Sequence, residues 1–152
     1  QGEPAGPESG AAFLLDRYLV PQPRSALAAA LRDHASGAMD VSDGLVGDLT
    51  KMMRVSGASA EVDIDRVPLS EAARATIAGD ARLIEAALTG GDDYEILASV
   101  PPGNTEAFEA AAAKAGVPVA RVGTVTGGQG APTFRNARGA PMSFARGSYS
   151  HF

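Results

Sequence analysis

The sequence predicts an α/β fold in which helices pack on a mixed sheet. Segments with strand-like patterns alternate along the chain with segments that have helix-like patterns, which is typical of this architecture. Hydrophobic residues make up 45% of the chain and charged residues 20%, a composition typical of folded proteins and not of disordered ones. The length of 152 residues suits one domain with its own core.

The first third of the chain is predicted to pass from a linker into helices. Residues 1–13 are predicted to be a linker, because Gly, Pro, Glu and Ser dominate the first ten positions, and residues 14–152 are predicted to be the domain. An amphipathic stretch over 11–19 is followed by two prolines that break it. The next helix is expected to run from Ser25, a suitable N-cap, through about His34.

The middle third is predicted to add a helix, a strand and two further helices. A helix that begins near Gly44 carries apolar residues at i, i+4, i+7 and i+8, and Gly57 is expected to end it. Residues 58–64 alternate apolar and acidic side chains, as a half-buried strand does. Helical segments follow over 71–78 and, after a capping aspartate, over 81–88.

The last third is predicted to be rich in strands. A strand over 94–100 is stopped by two prolines, and an alanine-rich helix over 105–115 is ended by a glycine. Valines at 117, 119, 122 and 125 indicate a strand over 117–126, and a glycine-rich turn leads to a short strand at 133–134.

Composition excludes several kinds of site. Eighteen acidic and 13 basic residues give a formal net charge of −5, and an acidic chain with only two lysines is a poor partner for nucleic acid. Cysteine is absent, which excludes disulfides and thiolate chemistry, and two histidines are too few for a His-rich metal site. No apolar run reaches the ~18–20 residues of a membrane helix and no signal peptide is evident, so we expect a cytoplasmic protein without membrane contacts.

The segment from Asp40 to Gly44 (DVSDG) has a pattern that suits phosphate chemistry. Asp40 and Asp43 lie three residues apart where an extended segment meets a helix. Carboxylate oxygens are ligands that Mg²⁺ prefers, and the N–H groups at a helix N-terminus favour phosphate. The same residues allow a plainer interpretation, in which Ser42 or Asp43 only caps the helix and Asp40 is a solvated turn residue.

Two other segments are candidates for binding. The segment from Gly90 to Glu95 (GGDDYE) places two carboxylates after two glycines, which indicates either an acid at a sheet edge or a tight turn with solvated acids. The chain ends Tyr149-Ser150-His151-Phe152, where the aromatic rings would either stack on a ligand or anchor the tail in the core. No phosphate-binding P-loop motif is present, so phosphate would have to be held through Mg²⁺.

Taken together and in order, these segments resemble the C-terminal half of the thiamine-monophosphate kinase family. That family belongs to the superfamily that includes aminoimidazole ribonucleotide synthetase and selenophosphate synthetase. The resemblance covers about residues 14–152, and its most specific parts are DVSDGL, GGDDYE and the aromatic-x-His-Phe ending. It implies the α/β C-terminal domain of the aminoimidazole ribonucleotide synthetase-like type.

The resemblance implies an enzyme that uses ATP and several Mg²⁺ ions to phosphorylate thiamine monophosphate to thiamine diphosphate. No catalytic residue is implied in this chain, because the substrate phosphate oxygen attacks directly. The resemblance implies that Asp40 and Asp43 bind Mg²⁺ and that Ser42 contacts the nucleotide phosphate. It also implies that Asp92 contacts the substrate and that Tyr149 stacks on the thiamine ring. At these last two positions the family usually has Glu and often has Trp, respectively.

The resemblance also implies that the chain is part of a longer protein. Family members carry an N-terminal domain that supplies most of the metal-binding acids, much of the nucleotide site and the dimer interface, so the full-length protein is expected to be a homodimer and this chain alone to be inactive. Two alternatives stay open. One is a sibling ATP-dependent synthetase of the same superfamily, and the other is a binding module without catalytic activity.

Overall fold

The computed structural model describes residues 7–91 and 94–145 and contains the following elements in those ranges. The helices are α1 (Pro7–Leu19), α2 (Ala28–His34), α3 (Leu45–Ser56), α4 (Glu71–Gly79), α5 (Leu83–Thr89) and α6 (Thr105–Lys114). The strands are β1 (Gly37–Val41), β2 (Ala58–Asp63), β3 (Glu95–Ser99), β4 (Gly123–Gly127), β5 (Thr133–Arg135) and β6 (Pro141–Met142). None of these helices is long and apolar enough to cross a lipid bilayer.

The strands form two sheets in the described part of the chain. β1 and β3 pair antiparallel in one, and the other has the order β4-β2-β5-β6. In the larger sheet β2 runs parallel to β5 and antiparallel to β4, while β5 and β6 are antiparallel. The predicted mixed sheet with packed helices is therefore confirmed.

The apolar side chains form two cores. The larger core joins α3 and α5 to strands of both sheets, and it contains three of the four residues that α3 was predicted to bury (Leu49, Met52, Met53), with the fourth, Leu45, partly buried against it. The smaller core lies between α2 and α6 and contains Leu27, Ala30, Phe108 and Ala112. The periodicity of α3 thus predicts its buried face correctly, and Gly57 ends the helix in the left-handed conformation (φ 63°) that glycine adopts without strain.

The beginning of the chain differs from the prediction. The sequence predicts a linker over 1–13, but residues 7–13 are the first half of α1, which packs against α4. The two helices meet at Gly10, where an added Cβ would lie 3.5 Å from the Cβ of Ala72, an ordinary van der Waals distance. Composition alone does not reveal such a contact between helices.

Two further local predictions need correction. Ser25 is not the N-cap of a long helix but the first residue of a short 3-10 turn (Ser25–Leu27) that leads into α2. The strand predicted over 117–126 begins only at Gly123, because pairing with β2 runs from Gly123 to Gly127.

Candidate functional site

The fold brings the DVSDG and GGDDYE segments side by side. DVSDG begins in β1 and leads into α3, and β1 pairs antiparallel with β3, so that Val41 lies opposite Glu95. The backbone N–H of Tyr94 donates to the carbonyl oxygen of Val41 at 3.0 Å. Tyr94 has a left-handed backbone conformation (φ 52°), which is uncommon for a tyrosine and often marks a functional loop. Two motifs some fifty residues apart therefore form one surface.

Glycines allow the two segments to pack backbone against backbone. Gly44 has φ 97°, and a Cβ there would lie 2.6 Å from the carbonyl carbon of Thr89. A Cβ on Gly91 would lie 2.1 Å from the carbonyl oxygen of Ser42. Side chains at these two positions would push the loops apart, so the glycines in both motifs have a structural purpose.

Replacement of Gly91 by alanine is expected to destabilise the domain by about 1–3 kcal/mol, because overpacking forces backbone shifts. Thermal and urea denaturation would measure the loss. The matched control is Gly103→Ala, since a Cβ at Gly103 meets nothing within 4 Å. Equal unfolding free energies for the two variants would show that the loops are not in this close contact.

Asp48, in the first turn of α3, holds the DVSDG segment in place through hydrogen bonds. Residues 40–44 are called the acidic loop below. Its side chain is fully buried, and Oδ2 accepts hydrogen bonds from the backbone N–H groups of Ser42 (3.0 Å) and Asp43 (2.9 Å). Oδ1 accepts a hydrogen bond from Nζ of Lys51 at 3.0 Å. A carboxylate in the first turn is also favoured by the helix dipole. Every oxygen of this buried group therefore has a partner, as a buried charge requires.

Asp43 shares the ammonium group of Lys51 with Asp48. Nζ of Lys51 donates to Oδ2 of Asp43 as well as to Asp48, and the Lys51 side chain remains 43% exposed. Hydrogen bonds to Asp43 first and to Asp48 second raise the pKa of Lys51 above its ordinary value. The lysine is therefore a cation bound to both carboxylates at neutral pH.

The interpretation of Ser42 or Asp43 as simple helix caps does not describe this loop. The N-cap of α3 is Gly44, and the helix has no side-chain cap. The loop is held instead by Asp48, which lies six residues after Ser42 and five residues after Asp43 and accepts a hydrogen bond from the backbone N–H of each.

Asp40 and Asp43 supply carboxylate oxygens, which are donors that Mg²⁺ prefers. Asp40, on β1, is exposed, and Asp43 is partly exposed at the start of the next turn. Mg²⁺ commonly binds a protein through one or two carboxylates and keeps water or phosphate oxygens as its other ligands. Within residues 7–91 and 94–145, no group of three or more His, Cys, Asp and Glu residues is placed to hold a metal ion. The two aspartates thus fit part of a shared site and not a closed one.

Arg24 binds the last acid of the second motif. Its Nε donates to both carboxylate oxygens of Glu95, at 3.1 and 2.9 Å, and Nη2 makes a further contact with Oε1. The hydrogen bonds to Glu95 raise the pKa of Arg24. The pair connects residues 71 positions apart, so no local pattern predicts it. Glu95 is consequently a structural partner of Arg24 at the edge of β3.

Two predicted site residues, Asp92 and Tyr149, lie outside the described residues. The residues that lead to them are anchored. Gly91 packs on Ser42, as described above. Near the C-terminus, the backbone N–H of Ala145 donates to Oε1 of Glu85 on α5 at 2.7 Å. Phe144 packs edge-to-face on Phe134, with ring centroids 5.2 Å apart. The last described residues therefore lie against α5 and β5.

Comparison with known proteins identifies the family. Residues 6–133 match the family model described as "AIR synthase related protein, C-terminal domain". The chain belongs to this family. Among its curated relatives, the thiamine-monophosphate kinase of Caulobacter vibrioides is 41% identical over 128 residues, which are 82% of this chain and 36% of that protein. The enzyme of the same name from Salmonella typhimurium is 38% identical over 146 residues, which are 95% of this chain and 44% of that protein.

Solved structures support the same AIR synthase related fold. The thiamine-monophosphate kinase of Stenotrophomonas maltophilia K279a superposes with a TM-score of 0.76 at 34% identity, over 88% of this chain and 41% of that one. AaThiL, solved in complex with AMPPCP and TMP, gives a TM-score of 0.74 at 26% identity, over 99% of this chain and 44% of that one. The resemblance inferred from the motifs is thus confirmed, and the chain spans less than half the length of each of these relatives.

Proposed function

We propose that this chain is the C-terminal domain of an ATP-dependent kinase that converts thiamine monophosphate to thiamine diphosphate. The observation that carries the proposal is the packing of Gly91 on the backbone of Ser42, together with the pairing of β1 with β3, which joins the DVSDG segment to the described ends of the GGDDYE segment. Relatives with the name thiamine-monophosphate kinase, and a similar structure in complex with AMPPCP and TMP, support the same assignment.

The acidic loop is proposed to face the phosphates. Asp40 and Asp43 would hold Mg²⁺, and Ser42 would contact a nucleotide phosphate. Bound Mg²⁺ would bridge phosphate oxygens and offset the charge that develops during phosphoryl transfer. Because Asp48 already engages the backbone N–H of Ser42, the hydroxyl group is the part of Ser42 that is proposed to reach the phosphate. Asp48 itself would keep the loop in one conformation.

The tail and the GGDD turn are proposed to hold the substrate. Glu85, which binds Ala145, is four residues before Thr89, the last residue of α5, and this separation is about 6 Å along a helix. Tyr149 follows Ala145 by four residues, which an extended chain spans in at most about 14 Å. These lengths allow Tyr149 to come near the C-terminal end of α5, which leads into the GGDD segment, and its ring would stack there on the thiamine ring.

The Tyr149→Ala variant of the full-length protein is expected to bind thiamine monophosphate about 1–3 kcal/mol more weakly, by analogy with the stacking of bases on aromatic side chains. Isothermal titration calorimetry measures the difference. Tyr149→Trp should bind as tightly or more tightly, and Tyr18→Ala, at an exposed tyrosine of α1, should change nothing. Unchanged affinity in Tyr149→Ala would mean that the ring is a tail anchor and not a substrate contact.

A kinase assay tests the proposal as a whole. The protein extended to the length of its relatives, given ATP, Mg²⁺ and thiamine monophosphate, should form thiamine diphosphate and ADP, whereas the 152-residue chain alone should not. The proposed remainder is an N-terminal domain that supplies further acids and a homodimer interface, in a cytoplasmic enzyme. Absence of product from the extended protein would favour the sibling synthetase or the binding module. Steady turnover by the 152-residue chain alone would show that the site is complete within it.

A further inference from the structure

Lys51, on α3, directs its ammonium group to the acidic loop, where it contacts a carboxylate that is proposed to bind a metal ion. Its ammonium group lies between Asp43 and Asp48 and contacts an oxygen of each. Asp48 is fully buried, and its second oxygen is bound by two backbone N–H groups, so its partners are fixed by the fold. Asp43 is 34% exposed, and its contact with Lys51 lies at the surface.

The cluster brings charges of both signs together. Lys51 contributes one positive charge against the two negative charges of Asp43 and Asp48, and Asp40 adds a third at the exposed end of β1. A divalent cation that binds Asp43 must either share this carboxylate with the ammonium group or displace it. Because two cations at neighbouring positions repel each other, the lysine opposes the metal ion directly.

We propose that Lys51 is a built-in counter-ion of Asp43, which holds this carboxylate in place before a divalent cation binds and competes with the cation for it. Asp48 keeps the ammonium group next to the loop, so that release of Asp43 does not require Lys51 to leave the site. The inference rests on the proposed function only in taking Asp43 as a metal ligand. Lys51 is in this view a positioning residue and not a catalytic one.

Titration of the 152-residue chain with Mn²⁺, followed by electron paramagnetic resonance, tests the competition. Lys51→Gln should bind Mn²⁺ roughly three- to tenfold more tightly than the unchanged chain, because the competing charge is gone while a hydrogen-bond donor remains. Lys51→Arg, which keeps the charge, should stay within about twofold of the unchanged chain. The matched control is Lys114→Gln, which removes the only other lysine, at the end of α6.

A second measurement on the unchanged chain does not depend on a variant. With only two lysines, the side-chain ammonium region of a nitrogen-15 NMR spectrum contains one signal for each. Addition of Mg²⁺ should shift the Lys51 signal progressively as its contact with Asp43 is replaced, while the Lys114 signal stays in place. If circular dichroism shows that Lys51→Gln does not fold, the proposal is tested by the nitrogen-15 spectrum of the unchanged chain and by the Mn²⁺ titration of Lys51→Arg.

Three results would overturn the proposal that Lys51 is a counter-ion of Asp43. The first is that folded Lys51→Gln binds Mn²⁺ as tightly as the unchanged chain or more weakly. The second is that neither the unchanged chain nor Lys51→Gln binds Mn²⁺, and the third is that the Lys51 signal does not respond to Mg²⁺. Failure of the proposed function would look different. If the extended protein makes no thiamine diphosphate, the Mn²⁺ affinities expected for Lys51→Gln and Lys51→Arg would not change.

Discussion

Replacement of Asp43 by alanine in the extended protein is expected to lower kcat by at least about a hundredfold, the loss seen when one group that stabilises transition-state charge is removed. The domain should stay folded, because the lost contact with Lys51 is partly exposed and such pairs contribute about 0–1 kcal/mol. The measurement is kcat at saturating ATP and Mg²⁺, together with a thermal unfolding curve that confirms the fold.

The control for this variant is Asp65→Ala, which removes an exposed aspartate in the turn after β2, in neither of the two motif segments. It should leave both kcat and thermal stability unchanged. A rate close to that of the unchanged enzyme in Asp43→Ala, at saturating Mg²⁺, would contradict the assignment of Asp43 as a metal ligand and leave the loop with a structural purpose only.

Elements whose side chains repeat regularly could be predicted from the sequence. The apolar stripe of α3 and the alternation of β2 each reflect one face turned toward the larger core, so burial and sequence pattern coincide. α1 and β4 could not be placed correctly in this way. α1 depends on a contact with α4, and β4 is limited by the length of its partner strand, so both are decided by tertiary structure.

The position of the acidic loop could be predicted, but not the means by which it is held. The sequence indicates acids at the junction of an extended segment and a helix, and the structure has β1 and α3 on either side of them. The hydrogen bonds from Ser42 and Asp43 to Asp48 and the pair between Arg24 and Glu95 depend on the folded path of the chain.

One signal in the sequence does point to Asp48. It lies three residues after Leu45 and directly before Leu49, on the side of α3 that carries the apolar stripe. A carboxylate at a position that periodicity assigns to the core needs partners there, because burial of an unpaired charge is strongly unfavourable. Helical periodicity therefore identifies Asp48 as a candidate for an internal hydrogen-bonding role, although it does not name the partners.

Replacement of Asp48 by alanine is expected to destabilise the domain by about 3 kcal/mol, since it removes a fully buried carboxylate, leaves two part-buried N–H groups without this acceptor and leaves Lys51 with one partner fewer. For a domain of this size the loss corresponds to a decrease of roughly 6–12 °C in Tm. Urea denaturation followed by circular dichroism measures the free energy, and a thermal scan measures Tm.

Two further variants separate the contributions of Asp48. Asp48→Asn keeps the shape and an acceptor oxygen for the N–H groups of Ser42 and Asp43 but removes the charge that faces Lys51, so its stability should lie between those of the unchanged chain and Asp48→Ala. Asp33→Asn, at an exposed aspartate paired with its neighbour Arg32, should not change stability measurably. If the free energy of unfolding of Asp48→Ala is within about 0.5 kcal/mol of that of the unchanged chain, the loss is that of an ordinary surface substitution. In that case the glycine contacts between the two loops hold the DVSDG segment without Asp48.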